Sequence, residues 1–245
     1  MIKYIAFAFL LTLSGLAVPA VAQSEDEPYH NELIYGINLN SNGGLLGGVF
    51  IRSAYTINEN WLQFGGLEVV EVKHPKEYRV YSYTGDSFIR GKQNSLFVIR
   101  PHYGRELILF RKAAESGVQV NAVGAIGPSI GLLAPYYIRY EYNGANGGIP
   151  DVRTEQYDPA LHPEIDFIEG SAGALTGLGE SKINLGLHTK AGISFEYGRY
   201  NESITGVEVG VLVEAFPKEM VIIPEAENRQ LFTSVYLNIY YGRRR

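Results

Sequence analysis

Ile183-Asn184-Leu185-Gly186-Leu187-His188-Thr189-Lys190-Ala191-Gly192-Ile193-Ser194-Phe195-Glu196-Tyr197 alternates between two kinds of position from end to end. The odd positions carry Ile183, Leu185, Leu187, Thr189, Ala191, Ile193, Phe195 and Tyr197. The even ones carry Asn184, Gly186, His188, Lys190, Gly192, Ser194 and Glu196. A period of two sends the apolar set to one face of a β-strand and the polar set to the other. A helix of this sequence would scatter His188, Lys190 and Glu196 around its circumference, so the stretch reads as a strand.

The same pattern spreads outward from there. Val207, Val209, Val211, Val213 and Ala215 oppose Gly206, Glu208, Gly210, Leu212 and Glu214, with a short turn expected at Arg199-Tyr200-Asn201-Glu202-Ser203. The last strand sets Val235, Leu237, Ile239 and Tyr241 against Ser234, Tyr236, Asn238 and Tyr240. The first sets Leu33, Tyr35, Ile37 and Leu39 against Ile34, Gly36, Asn38 and Asn40, followed by a hairpin turn at Ser41-Asn42-Gly43-Gly44 whose residue types suit positive φ. A second strand is expected over Leu45 to Ile57, a third from Trp61 to about Lys73, a fourth from Leu96 to about Tyr103 and a fifth from Val118 to about Leu132. Pro101 and Pro128 weaken the fourth and fifth, because proline removes a ladder donor.

If the first strand climbs, the turn near Asn58, the segment Leu107 to Gly117 and the turn near Tyr200 gather at one end. Ser41 to Gly44, about His74 to Asn94, about Tyr136 to Lys182 and about Lys218 to Gln230 gather at the other. An even strand number with the long loops on one side describes an all-β, antiparallel, up-and-down transmembrane barrel of about eight strands with long extracellular loops. A soluble lipocalin-like barrel shows the same alternation with its apolar face turned inward. Three features favour the membrane version: strand length, an apolar face nearly free of charge, and aromatics near strand ends at Tyr55, Trp61, Tyr103, Tyr136, Tyr137, Tyr197, Tyr200, Tyr240 and Tyr241.

The N-terminus supports export. Lys3, the apolar run Ile5 to Val18 and the small-x-small site Ala20-Val21-Ala22 read as a secretory signal over residues 1–22, leaving residues 23–245 as a single barrel domain. The apolar run is shorter than the roughly 20 residues a spanning helix needs. The chain has no cysteine, which removes thiolate catalysis and cysteine metal sites. A formal net charge of -5 with dispersed basic residues, save Arg243, Arg244 and Arg245, argues against a nucleic-acid partner. Eighteen tyrosines and 28 glycines fit tightly packed β-structure.

With its signal, its strand pattern and its aromatic final strand Leu231 to Tyr241, the chain resembles the OmpA/OmpX-like superfamily of small outer-membrane barrels, in the Bacteroidetes-type version. The run Lys92 to Glu106 looks like a family-specific signature. The resemblance implies a bacterial outer-membrane location and a barrel surrounded by outer-membrane lipid; it carries no activity with it. The family's terminal aromatic is missing, because the chain continues past Tyr241 through Gly242-Arg243-Arg244-Arg245.

If the apolar face meets lipid, the interior receives Arg52, Glu68, Arg100, His102, Lys190, Glu196, Glu208 and Glu214. Eight strands enclose just enough room for side chains, so charges of both signs there are expected to pair into a plug. A polar pathway would need a break in that network. For an enzyme, His and Ser or an acid would have to meet near the outer rim. His30, His74, His102, His162 and His188 show no such spacing, and no GxSxG or HExxH motif occurs. The protein is therefore expected to be non-enzymatic, with no cofactor. The long segment 136–182 is acidic, but Asp151, Glu155, Asp158, Glu164, Asp166 and Glu169 do not match a calcium-loop spacing. It is expected to be a surface loop that folds over the barrel mouth or meets other envelope proteins. The arginine-rich C-terminus is expected either to touch anionic head groups or to be a solvated tail.

Overall fold

The computed structural model describes residues 31–111, 117–142, 149, 151–173, 175–197 and 203–244. The expected signal segment, His30, the turn at residues 199–202 and Arg245 lie outside the described residues.

Eight strands form a closed barrel. They are β1 (Asn31–Asn40), β2 (Gly44–Asn58), β3 (Trp61–Val72), β6 (Asn94–Phe110), β7 (Val118–Pro135), β11 (Lys182–Tyr197), β12 (Ser203–Met220) and β13 (Arg229–Arg244). Each pairs antiparallel with its neighbour along the chain, and β1 closes on β13 through pairs such as Ile37↔Ile239. Two smaller sheets sit in the connections: the hairpin of β4 (Arg79–Tyr81) with β5 (Ser87–Ile89), and a three-stranded sheet in the order β10-β8-β9, made from β8 (Tyr137–Glu141), β9 (Val152–Gln156) and β10 (Ile168–Ser171).

Several strands outrun the alternation that predicts them. β6 continues through Leu107 to Phe110, and β12 reaches Met220 after a register shift beyond Ala215. β13 runs through Arg243 and Arg244, so these arginines belong to the wall and not to a tail. Pro101 and Pro128 are absorbed in mid-barrel. The registers Ile99↔Ile130 and Tyr103↔Ile126 bring the two prolines opposite one another, and the β6–β7 ladder lapses between those pairs, apart from a register shift between Ile108 and Phe110. Each proline keeps its place on its other side, Pro101 against Leu67 and Pro128 against Leu187. Both missing donors thus fall at a single gap.

The β1–β2 turn also departs from expectation. Among the described residues the positive-φ positions are Gly85, Gly91, Gly117, Gly170 and Gly173, and none lies in that hairpin. Instead the side chain of Asn40 organises it, accepting the Asn42 N–H at 3.0 Å while the Asn40 carbonyl accepts the Gly43 N–H at 3.2 Å.

The barrel's polarity is inside out relative to a soluble protein. Exposed large side chains on the wall are apolar: Leu33, Val49, Ile51, Leu67, Ile126, Leu185, Leu187, Val209, Val211, Val235 and Ile239 among them. Buried positions carry Arg52, Glu68, Arg100, Lys190, Glu208 and Glu214. Tyr35, Tyr55, Trp61, Tyr103, Tyr197 and Tyr241 face outward at the end that holds the chain termini, forming one aromatic girdle. Tyr136 and Tyr240 do not join it; both are buried, the first in the loops and the second inside the wall.

Candidate functional site

Side chains fill the interior in layers. Nearest the termini, Ile34, Phe50, Ile204 and Tyr240 form one apolar cluster, and Ala54, Leu62, Phe64, Val123 and Ala125 another. The middle is an ion-paired chain. Glu214 receives Arg100 through two bonds, from Nε at 2.8 Å and Nη2 at 2.7 Å, and Arg100 Nη1 reaches Glu68 at 2.8 Å. Glu68 faces Lys190 at 3.5 Å, and Lys190 stands 4.0 Å from Glu208. Glu208 holds Arg52 at 2.9 Å, and Arg52 lies 3.6 Å from Glu106. Nearer the termini, Arg244 bridges Glu32 and Glu196, both at 2.7 Å.

Alternation explains this convergence. On β1, β2, β3, β6, β11, β12 and β13 every one of these groups occupies an even, inward position, so seven strands that each contribute one or two charges deliver them to one interior. The remaining lone pairs are met by neutral donors. Ser129 gives Glu214 a bond of 2.6 Å, Tyr236 gives Glu208 one of 2.8 Å, and Asn121 gives Glu106 one of 2.5 Å. The Arg52 guanidinium lies 4.7 Å from the centre of the Phe64 ring, and Lys190 Nζ lies 5.4 Å from that of Tyr236.

Of the residues singled out from the sequence, Arg52, Glu68, Arg100, Lys190, Glu208 and Glu214 belong to this chain of pairs. Glu196 joins Arg244, one layer away. His102 and His188 stand edge to face beside the network, with ring centroids 5.9 Å apart. His102 Nδ1 bonds the Arg100 carbonyl at 3.1 Å. His188 Nδ1 lies 3.0 Å from Ser129 Oγ. That serine sits between the imidazole and Glu214 and has no solvent exposure, so the contact is a buried bridge and not a nucleophile activated by a base.

Glu106, Glu32 and Arg244 join the interior pairs beyond the residues expected from the sequence. For Glu106 the parity already set by Arg100 and His102, carried four residues further, gives the inward position. For Arg244 the signal is the same count from Tyr240.

The loop end is closed twice. Residues 221–228, between β12 and β13, cross the mouth to the far wall, where the Ile222 carbonyl accepts the Gln93 and Asn94 N–H groups at 2.9 and 3.2 Å. Ile222 and Ile223 thereby sink into a cluster with Val70, Val72, Leu96, Val98, Phe216 and Met220. Asn228 clasps this strap: its Oδ1 accepts the Ile222 N–H and its Nδ2 donates to the Ile223 and Ala226 carbonyls, each at 2.9 Å. Between β7 and β11 the described residues of the segment 136–182 form a small folded unit, here called the cap. Tyr136, Ile138, Tyr140, Tyr157 and Ile168 pack with Phe88 from the β4–β5 hairpin into a core of its own.

The cap's exterior is rich in tyrosine–glutamate pairs. Tyr83 donates to Glu141 at 2.8 Å and Tyr137 to Glu180 at 2.9 Å, while Tyr142 donates to Glu155. The Glu155 carboxylate beside it pushes the Tyr142 phenol up to about 12. Slight burial alone would raise Glu155; the hydrogen bonds from Tyr142 and His162 override it and hold that carboxyl below the ordinary range. Tyr78, Tyr81 and Tyr83 stand exposed on the neighbouring hairpin region. Asp86 and Glu169 both engage Arg139, which fastens the hairpin to the sheet.

Fold and interior define the class: a small, closed, eight-stranded antiparallel barrel with a side-chain-filled interior. No family model matches the chain, and no curated protein does. Among solved structures the chain is similar to Ail, the attachment invasion locus protein of Yersinia pestis, at 9% identity and a TM-score of 0.41, covering 89% of this chain and 100% of that one. That structure is a complex with the heparin analogue sucrose octasulfate. The chain is also similar to Neisserial surface protein A (NspA), at 9% identity and a TM-score of 0.42, covering 89% of this chain and 97% of that one.

Proposed function

We propose that this protein is a non-enzymatic barrel of the bacterial outer membrane whose wall is a filled scaffold and whose cap is the working surface. The inverted polarity carries the reading. An exterior of Leu, Val, Ile and Tyr around an interior of paired Arg, Lys and Glu is stable only where the surroundings are apolar. Strands of 10 to 18 residues suit tilted spans of a bilayer. The eight interior residues form the plug that stiffens the wall; the segment 136–182, with its own core, presents Tyr142, and the neighbouring hairpin region presents Tyr81 and Tyr83, to other envelope proteins.

Heat-modifiable migration on a gel, with fractionation to the outer membrane, tests the location; recovery in the soluble periplasm would sink it. Single-channel recording on refolded protein tests the filled interior, where sustained conductance would show a pore instead. An altered acyl pattern of lipid A in cells expressing the protein would favour an enzyme.

A further inference from the structure

Charge of opposite sign is sorted across the wall at the end that holds the termini. Glu32, Glu106 and Glu196 face inward, where Arg52 and Arg244 engage them. Arg105 and Arg243 face outward and are exposed. Neither has a carboxylate partner among the described residues. Arg105 lies two positions beyond Tyr103 on the outward face of β6, and Arg243 two positions beyond Tyr241 on that of β13. Each guanidinium therefore stands one pleat repeat beyond the girdle tyrosine of its own strand, on opposite sides of the barrel. At the loop end the outward charges Glu71 and Lys73 instead neutralise each other at 3.6 Å.

We propose that Arg105 and Arg243 form a phosphate-binding rim that engages anionic phospholipid headgroups of the leaflet at the terminal end. The inference rests on the outer-membrane reading above and names the lipid class it takes. Tyrosine and tryptophan rings settle at the headgroup boundary, so a guanidinium just beyond them lies in the plane of the phosphates. An arginine fork matches two phosphate oxygens. Glu32, Glu106 and Glu196 are turned inward, and among the described residues no carboxylate pairs with either guanidinium. Anionic headgroups are drawn in by long-range attraction, whereas zwitterionic ones gain only the local contact.

Trp61, the chain's single tryptophan, is a built-in reporter. It lies outward on β3, where Gln63 pairs with Arg105 and Trp61 with Leu107, which makes it a diagonal neighbour of Arg105. The protein would be refolded into phosphatidylcholine vesicles containing a minor fraction of phosphatidylglycerol. Bromine would be carried on the acyl chains of either the anionic or the zwitterionic lipid, at equal mole fraction. Expected is quenching of Trp61 about twofold greater by the brominated anionic lipid. The excess should disappear in R105Q/R243Q, survive in R105K/R243K, and fade in about 0.5 M salt. Equal quenching by the two lipids, or an excess that neither substitution nor salt alters, would overturn the rim. Should R105Q/R243Q not fold, the salt series on the unaltered protein decides by the same criterion. Absence of quenching by either lipid, with no heat-modifiable band, would instead remove the membrane reading itself.

Discussion

Gly65 and Gly66 are adjacent on β3 and face opposite ways, and their environments give opposite forecasts. A Cβ at Gly66 would stand 2.5 Å from His102 Nε2, inside a filled interior, whereas one at Gly65 meets nothing within 4 Å. G66A should therefore lower the stability of the refolded barrel by about 1–3 kcal/mol in urea titration. G65A should be neutral or slightly stabilising, because alanine gives up less backbone freedom. Arg100 is a second such point. R100M leaves Glu68 and Glu214 short of a cation in the interior and should cost about 3–5 kcal/mol; adding E214Q should recover part of the loss, since a buried pair removed together costs less than one partner alone. A stability loss below about 1 kcal/mol for R100M would mean that the network does not hold the wall. At this scale the interior was legible wherever alternation had been followed: Arg52, Glu68 and Lys190 all come from parity. Arg244 was not, because three consecutive arginines at a chain end look like a solvated tail until the strand is seen to include them.

Elements divide differently. The wall strands could be read because each buries one face against the interior and repeats every two residues. The cap strands β8, β9 and β10 are four or five residues long, too short for a period to stand out, and they exist because Tyr136, Ile138, Tyr140 and Ile168 pack against Phe88 from another loop. The strap at 221–228 is equally silent in sequence, since Ile222 and Ile223 acquire their place from Gln93 and Asn94 on the opposite wall and from the apolar cluster they enter. The cap also carries a pH signature. Tyr142, ordinarily near 10.0 and here pushed up to about 12, favours its neutral form in the folded cap. Its contribution is complete below pH 10 and lost as the pH rises through about 12. Glu155, held low, contributes above its ordinary 4.5 and is lost as the pH falls below that value. A phenolate absorbance titration should thus lose one tyrosine's share of its late component in Y142F, and E155Q should move that share back toward 10. If Y142F leaves the titration curve unchanged apart from one ordinary tyrosine, the Tyr142–Glu155 bond does not persist in solution.

At the scale of the whole molecule, the cap is an insertion between two neighbouring strands of the wall. The cap leaves the barrel after Pro135 and returns at Lys182, and those ends lie side by side, with Lys182 paired to Leu133. Joining them by a short turn should preserve the eight-stranded wall. A chain with residues 137–180 replaced by a tight loop is expected to keep its heat-modifiable migration while losing protease-resistant material from the cap. Failure to fold would mean that the cap nucleates the barrel. The strap matters here, because Ile222 and Ile223 close the mouth independently of anything above them. On the outer-membrane reading proposed above, a lineage carrying this wall is free to vary the insertion between Pro135 and Lys182 while the strap keeps its own contacts with the far wall.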